Sequence, residues 1–337
     1  MARRATIKDV SKAAGVSATT VSRYLNRTMR LPEETARRID QAVAALQYAP
    51  DPLARSFSRG RSETIGLVLP EIDNPFFARL AASVEAAAAA RGYGVLLCAT
   101  LNRLEREFDY IRRLDRNHVD GMLFVTNHPD DGRLRAAVAG MPRFVLIDED
   151  IAGADLPGVF SDNAQGARDA ARLLIEAGHR KLAMLSGPTG LMSAEERKAG
   201  FLSAIRDAGP GCEAVAVIDG AYTAEAGAAA AETLLRTHPE VTAIFVGSDE
   251  IFLGLLPCLR RRGLRIGTDI SVVTCDDVEP LALFDPPITA VRQNVAAIGA
   301  AAFDIVMHEI AGTAAPERRL RIPMEVIRRA SVAPPPA

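Results

Sequence analysis

The sequence of 337 residues has no tryptophan, only four cysteines and no long apolar run. The cysteines form no CxxC pair and the five histidines no HExxH motif, so the sequence predicts no disulfide framework and no metal site. No apolar run approaches the roughly 20 residues that cross a bilayer, and the start, Met1-Ala2-Arg3-Arg4, lacks the apolar core of a signal peptide. We therefore expect a cytoplasmic protein with no membrane partner. The cysteines are Cys98, Cys212, Cys258 and Cys275.

Motifs for catalysis and for nucleotide binding are also missing. The stretch 69–76, which follows the first predicted strand of the body, contains no GxGxxG sequence. Neither a Walker loop nor a nucleophile elbow occurs elsewhere, and no nucleophile–base pair stands out. The sequence thus predicts that the protein is not an enzyme and that it binds no cofactor.

Charge is unevenly distributed along the chain. Residues 1–62 contain twelve Lys/Arg and five Asp/Glu, a net charge of +7, whereas the other 275 residues contain 28 and 37, a net charge of −9. A basic end on an acidic body is typical of a protein whose one end binds a polyanion.

Two short helices joined by a glycine turn are predicted in the basic segment. Thr6 followed by Asp9 indicates an N-cap with a capping box, and Gly15 ends the helix. Ser17 caps the second helix, in which Val21 and Leu25 face the first. The apolar face of the first helix comprises Ile7, Val10, Ala13 and Ala14.

A third helix is predicted to begin at Pro32-Glu33-Glu34 and to close a small core with Ile39, Val43 and Leu46. The exposed side of the second helix then presents small or hydrogen-bonding side chains that fit a DNA major groove. The alternative is a helical hairpin that only packs on another surface, and the charge of +7 favours DNA. These exposed residues are Ala18, Thr19, Ser22 and Arg23.

Residues 7–17 and 19–26 resemble the headpiece of the lactose/galactose-repressor (LacI/GalR) family of bacterial transcription regulators. The resemblance implies that Ala18, Thr19 and Arg23 read bases. It also implies backbone-contacting or capping positions at Thr6, Ser17, Thr20, Ser22 and Asn26.

Residues 48–58 match the hinge of that family. Read alone, they form a Pro-flanked linker whose single possible helical turn is too short to persist in water. The resemblance implies that two hinges of a dimer order on DNA through Ala54, Arg55 and Phe57, with Phe57 as a wedge in the minor groove. The family usually has leucine at this position, so the wedge geometry is open, and Phe57 could instead pack on the body.

After Ser62 short β-rich runs alternate with alanine-rich helical stretches, which predicts two similar α/β halves, each on a parallel sheet. The first series has strands at 65–69, 94–98, 122–125 and 144–147, with helices near 76–91, 104–117 and 130–139. The second has strands at 182–185, 215–218, 243–246 and 271–274, with helices near 164–177, 194–208, 223–236 and 249–262.

The fold class expected is therefore α/β, a helix-turn-helix headpiece followed by a two-lobed body that resembles periplasmic binding proteins. We expect the headpiece at 1–47 and the hinge at 48–62. The N-terminal effector subdomain is predicted at 63–162 plus 293–322, and the C-terminal one at 163–292 plus 323–337.

Aromatic residues, carboxylates and an arginine follow the predicted strands. Parallel sheets bind ligands at the carboxyl ends of their strands, and this set suits a polyhydroxylated ring. The alternative is that Phe76, Phe77 and Phe160 are core residues and that Asp249 caps a helix. The family resemblance extends to the C-terminus and implies an effector cleft lined by Phe76, Phe77, Asp148, Phe160, Ser193, Arg197, Tyr222, Ser248, Asp276 and Gln293.

Arg197 and Asp276 are the favoured pair among these, because a fixed cationic fork and a carboxylate can together clamp adjacent hydroxyls. Leu191 occupies the position at which purine-responsive members have an arginine, so a purine effector is not expected. Ser248 replaces the asparagine common in sugar-responsive members. Glu195 and Glu196 disfavour an anionic effector unless they face solvent.

We thus predict a homodimeric repressor of a carbohydrate-metabolism operon, located at the nucleoid when it is bound to its operator. A small sugar-like effector sets its affinity for a pseudo-palindromic DNA operator. The tail 331–337 has no leucine heptad, so no coiled-coil tetramer is expected. Two alternatives remain open, a solute-binding protein with the same body plan and an α/β enzyme with an accessory DNA-binding domain.

Overall fold

The computed structural model describes residues 5–26, 29–48, 61–114 and 119–336. The chain divides into two units, Met1–Ser62 and Glu63–Ala337. The hinge residues Ala54, Arg55 and Phe57 lie outside the described residues, so what is expected of them stays a prediction.

The described residues of the first unit form three helices, α1 (Ile7–Ala14), α2 (Ala18–Leu25) and α3 (Glu33–Ala45). Thr6 caps α1 in a full capping box with Asp9. The helix ends at Gly15, whose φ of 64° is a left-handed conformation that glycine adopts without a steric penalty. Ser17 accepts a hydrogen bond from the backbone N–H of Thr20. The local start and stop signals therefore act where they are predicted.

The headpiece core differs from the predicted one at two residues. Ala13 is exposed, because it lies about 100° around the helix from the buried Ala14. Leu46 is 37% exposed, because α3 turns Ile39 and Ala42 inward and ends before Leu46. The buried core comprises Val10, Ala14, Val21, Ile39 and Ala42.

The described part of the second unit contains two six-stranded sheets, one in each lobe. All paired strands of the first sheet are parallel, and the second sheet has one antiparallel pair at its edge. In spatial order the first sheet consists of β11 (Arg319–Ile322), β5 (Gly158–Ser161), β4 (Phe144–Ile147), β3 (Gly121–Phe124), β1 (Thr64–Leu69) and β2 (Gly94–Ala99). The second consists of β12 (Glu325–Ile327), β10 (Thr289–Arg292), β9 (Ser271–Cys275), β8 (Ala243–Val246), β6 (Lys181–Leu185) and β7 (Glu213–Ile218).

Helices cover both sheets, and a short 3-10 helix forms at Glu279–Leu283. The α-helices that cover the sheets are α4 (Pro75–Ala89), α5 (Leu104–Leu114), α6 (Arg133–Val138), α7 (Asn163–Glu176), α8 (Met192–Ala208), α9 (Ala224–Thr237), α10 (Asp249–Arg261) and α11 (Val295–Ala311). All the predicted strands and helices of the body are present to within a few residues. Six elements have no predicted counterpart, namely β5, β10, β11, β12, α11 and the 3-10 helix.

The chain crosses between the lobes three times. After β5 in the first sheet, α7 packs against α8 in the second lobe, and after β10 in the second sheet, α11 packs against α4 in the first lobe. The third crossing lies between β11 and β12. Each strand lies in the lobe to which the predicted subdomains assign it. The exact boundaries of the subdomains remain predictions. The carboxyl ends of the strands of both sheets line one interlobe cavity.

Candidate functional site

Residues from both lobes line one cavity, which contains about 480 Å³ of space free of protein atoms, part of it open to solvent. Each lining residue follows the carboxyl end of a strand or lies in the first two turns of a helix, as expected for open parallel sheets. The residues are Glu71, Asn74, Phe76, Phe77, Asn127, Asp148, Glu149, Ser193, Arg197, Tyr222, Ser248, Asp249, Glu250, Asp276 and Gln293.

Nine of the ten predicted effector residues are among these fifteen, and Phe160 is not. The Phe160 ring is buried in the first lobe, with the guanidinium groups of Arg319 and Arg321 at 5.0 and 5.5 Å from its centroid. Its neighbour Ser161 instead points toward the interlobe side and donates a hydrogen bond to Gln293 Oε1. The structure thus gives Phe160 the core position considered as its alternative.

Arg197 is fixed by three contacts within the second lobe. Its Nε donates to Asn163 Oδ1 at 2.9 Å, and one terminal nitrogen donates to the Gly247 carbonyl oxygen at 2.6 Å. The guanidinium carbon lies 6.0 Å from the centroid of the Tyr222 ring, a distance typical of a cation–π contact. A buried cation held in this way is already oriented before any ligand arrives.

Asp148 and Asp276 occupy equivalent positions in the two lobes, one directly after β4 and the other directly after β9. Their φ angles are 69° and 65°, left-handed values that are uncommon for residues other than glycine. The backbone N–H of each donates to the next strand of its sheet, to Val159 in one lobe and to Val291 in the other. This equivalence supports the duplicated plan that the sequence predicts.

The two carboxylates differ in their partners. Asp276 accepts a hydrogen bond of 2.7 Å from Gln293 Nε2. Asp148 is buried, and within the described part of the chain its Oδ1 has no hydrogen-bond partner. Burial raises the pKa of Asp148 to about 6, although the charge of Arg197 opposes the shift.

Glu149 connects the two lobes and is absent from the predicted site. The backbone N–H of Ser193 donates to Glu149 Oε2 at 3.1 Å, and the Ser193 hydroxyl donates to Oε1. The Tyr222 hydroxyl lies 3.1 Å from the same Ser193 oxygen. Burial raises the pKa of Glu149 to about 8. Its place beside Asp148 at a strand end is the sequence signal that could have identified it.

Asp249 lies in the cavity wall and does not cap its helix. The N-cap of α10 is Ser248, which accepts from the backbone N–H of Ile251 at 3.2 Å. Asp249 is the next residue, and burial raises its pKa to about 7. The predicted capping role therefore belongs to Ser248. The other unpredicted lining residues are Glu71, Asn74, Asn127 and Glu250.

Neither Glu195 nor Glu196 belongs to the residues that line the cavity. Glu195 is exposed and accepts from the backbone N–H of Gly190, and Glu196 forms an ion pair with Arg321. Leu191 is buried at the start of α8 and also does not line the cavity. The acids at 195 and 196 thus impose little constraint on the ligand.

In the headpiece, the predicted DNA-contacting residues divide into two groups. Thr19 and Arg23 are exposed on α2, and Ala18 beside them is half-buried. The other predicted residues form local contacts. Thr6 and Ser17 cap helices, Thr20 and Ser17 share a hydroxyl contact of 2.8 Å, and Asn26 donates to Ser22 at 3.4 Å.

Comparison with known proteins assigns both parts of the chain. Residues 6–51 match the family described as "Bacterial regulatory proteins, lacI family", and residues 62–330 match "Periplasmic binding proteins and sugar binding domain of LacI family". The chain belongs to the LacI family.

The relatives of this LacI-family protein include repressors that it matches over nearly their whole length. The "HTH-type transcriptional repressor PurR" of Vibrio atlanticus is 33% identical over 97% of this chain and 98% of its own length. The structure titled "transcriptional regulator CelR-cellobiose complex" is 30% identical, with a TM-score of 0.74 over 97% of this chain and all of the other. A Lac repressor dimer bound to operator and the anti-inducer ONPF has a TM-score of 0.86 at 24% identity, covering 98% of this chain and all of the other, which shows the fold alone.

Several predictions from the sequence are thereby confirmed, namely the family, the two-part fold, and the function of a DNA-binding transcription regulator. The family consists of regulators and not of enzymes, which decides against the enzyme alternative. Within residues 5–26, 29–48, 61–114 and 119–336, no helix is long and apolar enough to cross a membrane. The same ranges contain no group of three or more His, Cys, Asp or Glu side chains arranged for a metal ion.

Proposed function

We propose that this LacI-family protein represses a carbohydrate-metabolism operon and that a small polar effector bound in the interlobe cavity sets its affinity for operator DNA. The observation that carries the proposal is the convergence of nine predicted effector residues, drawn from both lobes, on one cavity in a chain that also has a DNA-binding headpiece.

The cavity walls suit a hydroxylated ring. Phe76 and Phe77 contact each other edge to face at 5.1 Å and line the first-lobe side. Tyr222 lines the second-lobe side. Aromatic faces pack on the C–H face of a sugar, while Arg197 and Asp276 exchange hydrogen bonds with its hydroxyls.

A purine effector fits this wall less well than a sugar. Although relatives named PurR are up to 33% identical to the chain, Leu191 contributes no cation to the cavity, and Arg197 is the one cationic side chain among the lining residues described. Purines therefore belong in the ligand panel as a comparison class.

Ligand control would act through the contacts that join the lobes. Ser193 of the second lobe donates to Glu149 of the first, and Arg79 of the first lobe reaches the Asp277 carbonyl oxygen and Glu279 of the second. An effector that binds one lobe arrangement more tightly shifts the population toward it, and operator affinity changes only by that difference.

On the DNA side, we propose a homodimer that presents two α2 helices to half-sites about one helical turn apart. Thr19 and Arg23 contact base edges, and the hinge residues Ala54, Arg55 and Phe57 contact the centre of the operator. The exposure of Thr19 and Arg23 supports the first assignment.

The test begins by selecting operators for the purified full-length chain from a random duplex library. Gel shifts then measure operator affinity with and without sugars, polyols and purines. We expect enrichment of dyad-symmetric sequences, a sugar or polyol that changes operator affinity at least tenfold, and loss of that response in Asp276→Ala with operator binding retained. Asp109→Ala, on an exposed face of α5, is the matched control. A normal response in Asp276→Ala would refute the role of Asp276.

A further inference from the structure

Carboxyl groups greatly outnumber cations in the interlobe cavity. Six acidic residues line it against a single arginine among the lining residues described, Arg197. The acidic residues are Glu71, Asp148, Glu149, Asp249, Glu250 and Asp276.

One arginine does not offset these carboxyl groups across the whole cavity. Arg197 lies near both Asp148 and Asp276, and two of its N–H groups already bond to Asn163 and Gly247. In the described ranges no Lys, Arg or His forms an ion pair with Asp249, Glu250 or Asp276. The Asp249 side of the cavity therefore lacks a protein cation, and the N–H groups at the start of α10 offset its burial only in part.

An independent observation points to a missing hydrogen-bond donor. Asp148 is only 7% exposed, it lines the cavity, and its Oδ1 has no partner among the described residues. Leaving a buried acceptor unpaired is costly, so a donor from a ligand would stabilise this side chain. Asp276 lies close enough to both Asp148 and Asp249 to raise the pKa of each.

An organic cation fits this arrangement better than a metal ion. Calcium requires six to eight oxygen ligands at short range, and magnesium requires octahedral geometry. The described residues contain no such group. An ammonium group needs only N–H···O contacts to carboxylates, which this wall supplies.

We propose that the effector is a polyhydroxylated molecule that carries a protonated amine. The amine lies at Asp276, between Asp148 and Asp249, while Arg197 binds hydroxyl groups. This inference rests on the proposed function, because it assigns the chemical class of the ligand of the same cavity.

The test compares matched ligands on the full-length chain by calorimetric titration at neutral pH and physiological salt. The probes are glucose, galactose, mannose and sorbitol, each beside its amino counterpart, and the three N-acetylated hexosamines. We expect at least one amine to bind tenfold or more tightly than its hydroxyl counterpart, and N-acetylation to abolish that gain.

Asp249→Asn tests the location of the amine without a change in side-chain size. We expect it to reduce the ratio of amine to hydroxyl affinity at least fivefold. Glu195→Gln, which removes an exposed carboxylate from the start of α8, is the control and should keep the wild-type ratio.

Two outcomes overturn the inference. One is that every amine binds no more tightly than its hydroxyl counterpart, and the other is that no amine in the panel binds. Operator binding separates this failure from that of the proposed function. If a neutral sugar binds and changes operator affinity, the proposed function stands without the amine, whereas a chain that selects no dyad-symmetric duplex refutes the proposed function itself.

Discussion

Replacing Glu149 by glutamine should remove much of the pH dependence of the stability of the body. Glutamine has the shape of a neutral glutamic acid. Its carbonyl oxygen can accept from the Ser193 N–H, and its amide can donate to the Ser193 hydroxyl oxygen. The variant therefore keeps the link between the lobes but cannot acquire the buried charge.

The size of the effect follows from the pKa of Glu149, which burial raises from 4.5 to about 8. Between these values the unfolded chain loses its proton while the folded chain keeps it, so stability falls as pH rises. Each pKa unit corresponds to about 1.4 kcal/mol. Glu149 alone thus lowers the free energy of unfolding by about 4 kcal/mol between about pH 5 and about pH 9, or roughly 8 °C in a chain of this size.

Scanning calorimetry of ligand-free, full-length protein across this pH range measures the effect. Wild type should lose stability with rising pH, and Glu149→Gln should lose distinctly less. Part of the slope should remain, because burial also raises the pKa of Asp148 and Asp249. Glu195→Gln controls for the loss of one negative charge. The same slope in wild type and Glu149→Gln would show that Glu149 is not a buried, neutral acid in the folded body.

Three further predictions concern DNA binding and packing. Arg23→Ala should abolish specific operator binding in a footprinting assay, whereas Arg37→Ala, at an exposed position on α3, should change it little; an intact footprint would rule out Arg23 as a base-reading residue. Raising salt from about 50 to 200 mM should weaken operator binding by about a thousandfold or more, measured by fluorescence anisotropy, and a flat response would exclude phosphate contacts. Gly200→Ala should lower the free energy of unfolding by about 1–3 kcal/mol in urea denaturation, because a Cβ there would overlap the Ala164 carbonyl oxygen, whereas Gly94→Ala places its Cβ in open space. Equal stability of the two alanine variants would contradict this account of α7–α8 packing.

Features set by local sequence were predictable. The capping box of Thr6 and Asp9, the stop at Gly15 and the cap at Ser17 each depend on residues at most five positions apart. The buried parallel strands were equally clear, because they are continuous apolar runs between alanine-rich helices.

Elements that depend on distant partners were not predictable in the same way. The strand β11 reads Arg-Leu-Arg-Ile, and it pairs with β5 about 160 residues earlier in the chain. It alternates charged and apolar residues over only four positions, a pattern too short to distinguish from a loop. The three crossings between lobes leave little trace in composition, yet the predicted subdomains, 63–162 plus 293–322 and 163–292 plus 323–337, already assigned each strand to its lobe.

The cavity residues also differ in whether local sequence or a distant partner determines their position. Strand ends identified which segments meet there, but a strand alternates its faces, so the segment 160–161 could present either residue. The structure buries Phe160 and directs Ser161 toward Gln293. Glu149 was not predicted, because an acid in the run Asp148-Glu149-Asp150 resembles a solvated turn. Its hydrogen-bond partner Ser193 lies in the other lobe, so this contact is visible only in the structure.

The buried carboxylates connect the stability of the body with its regulation. Asp148, Glu149 and Asp249 each destabilise the ligand-free fold as they ionise, since burial raises the pKa of all three. A ligand that donates hydrogen bonds or positive charge to these three carboxyl groups would restore part of the lost stability. It would do so only in the lobe arrangement in which both lobes line the cavity. Because Glu149 contacts Ser193 across the lobes, its ionisation also acts directly on that arrangement. The acids that weaken the empty body are thus the groups through which an effector could distinguish one lobe arrangement from the other, and this difference in affinity is what any change in operator binding requires.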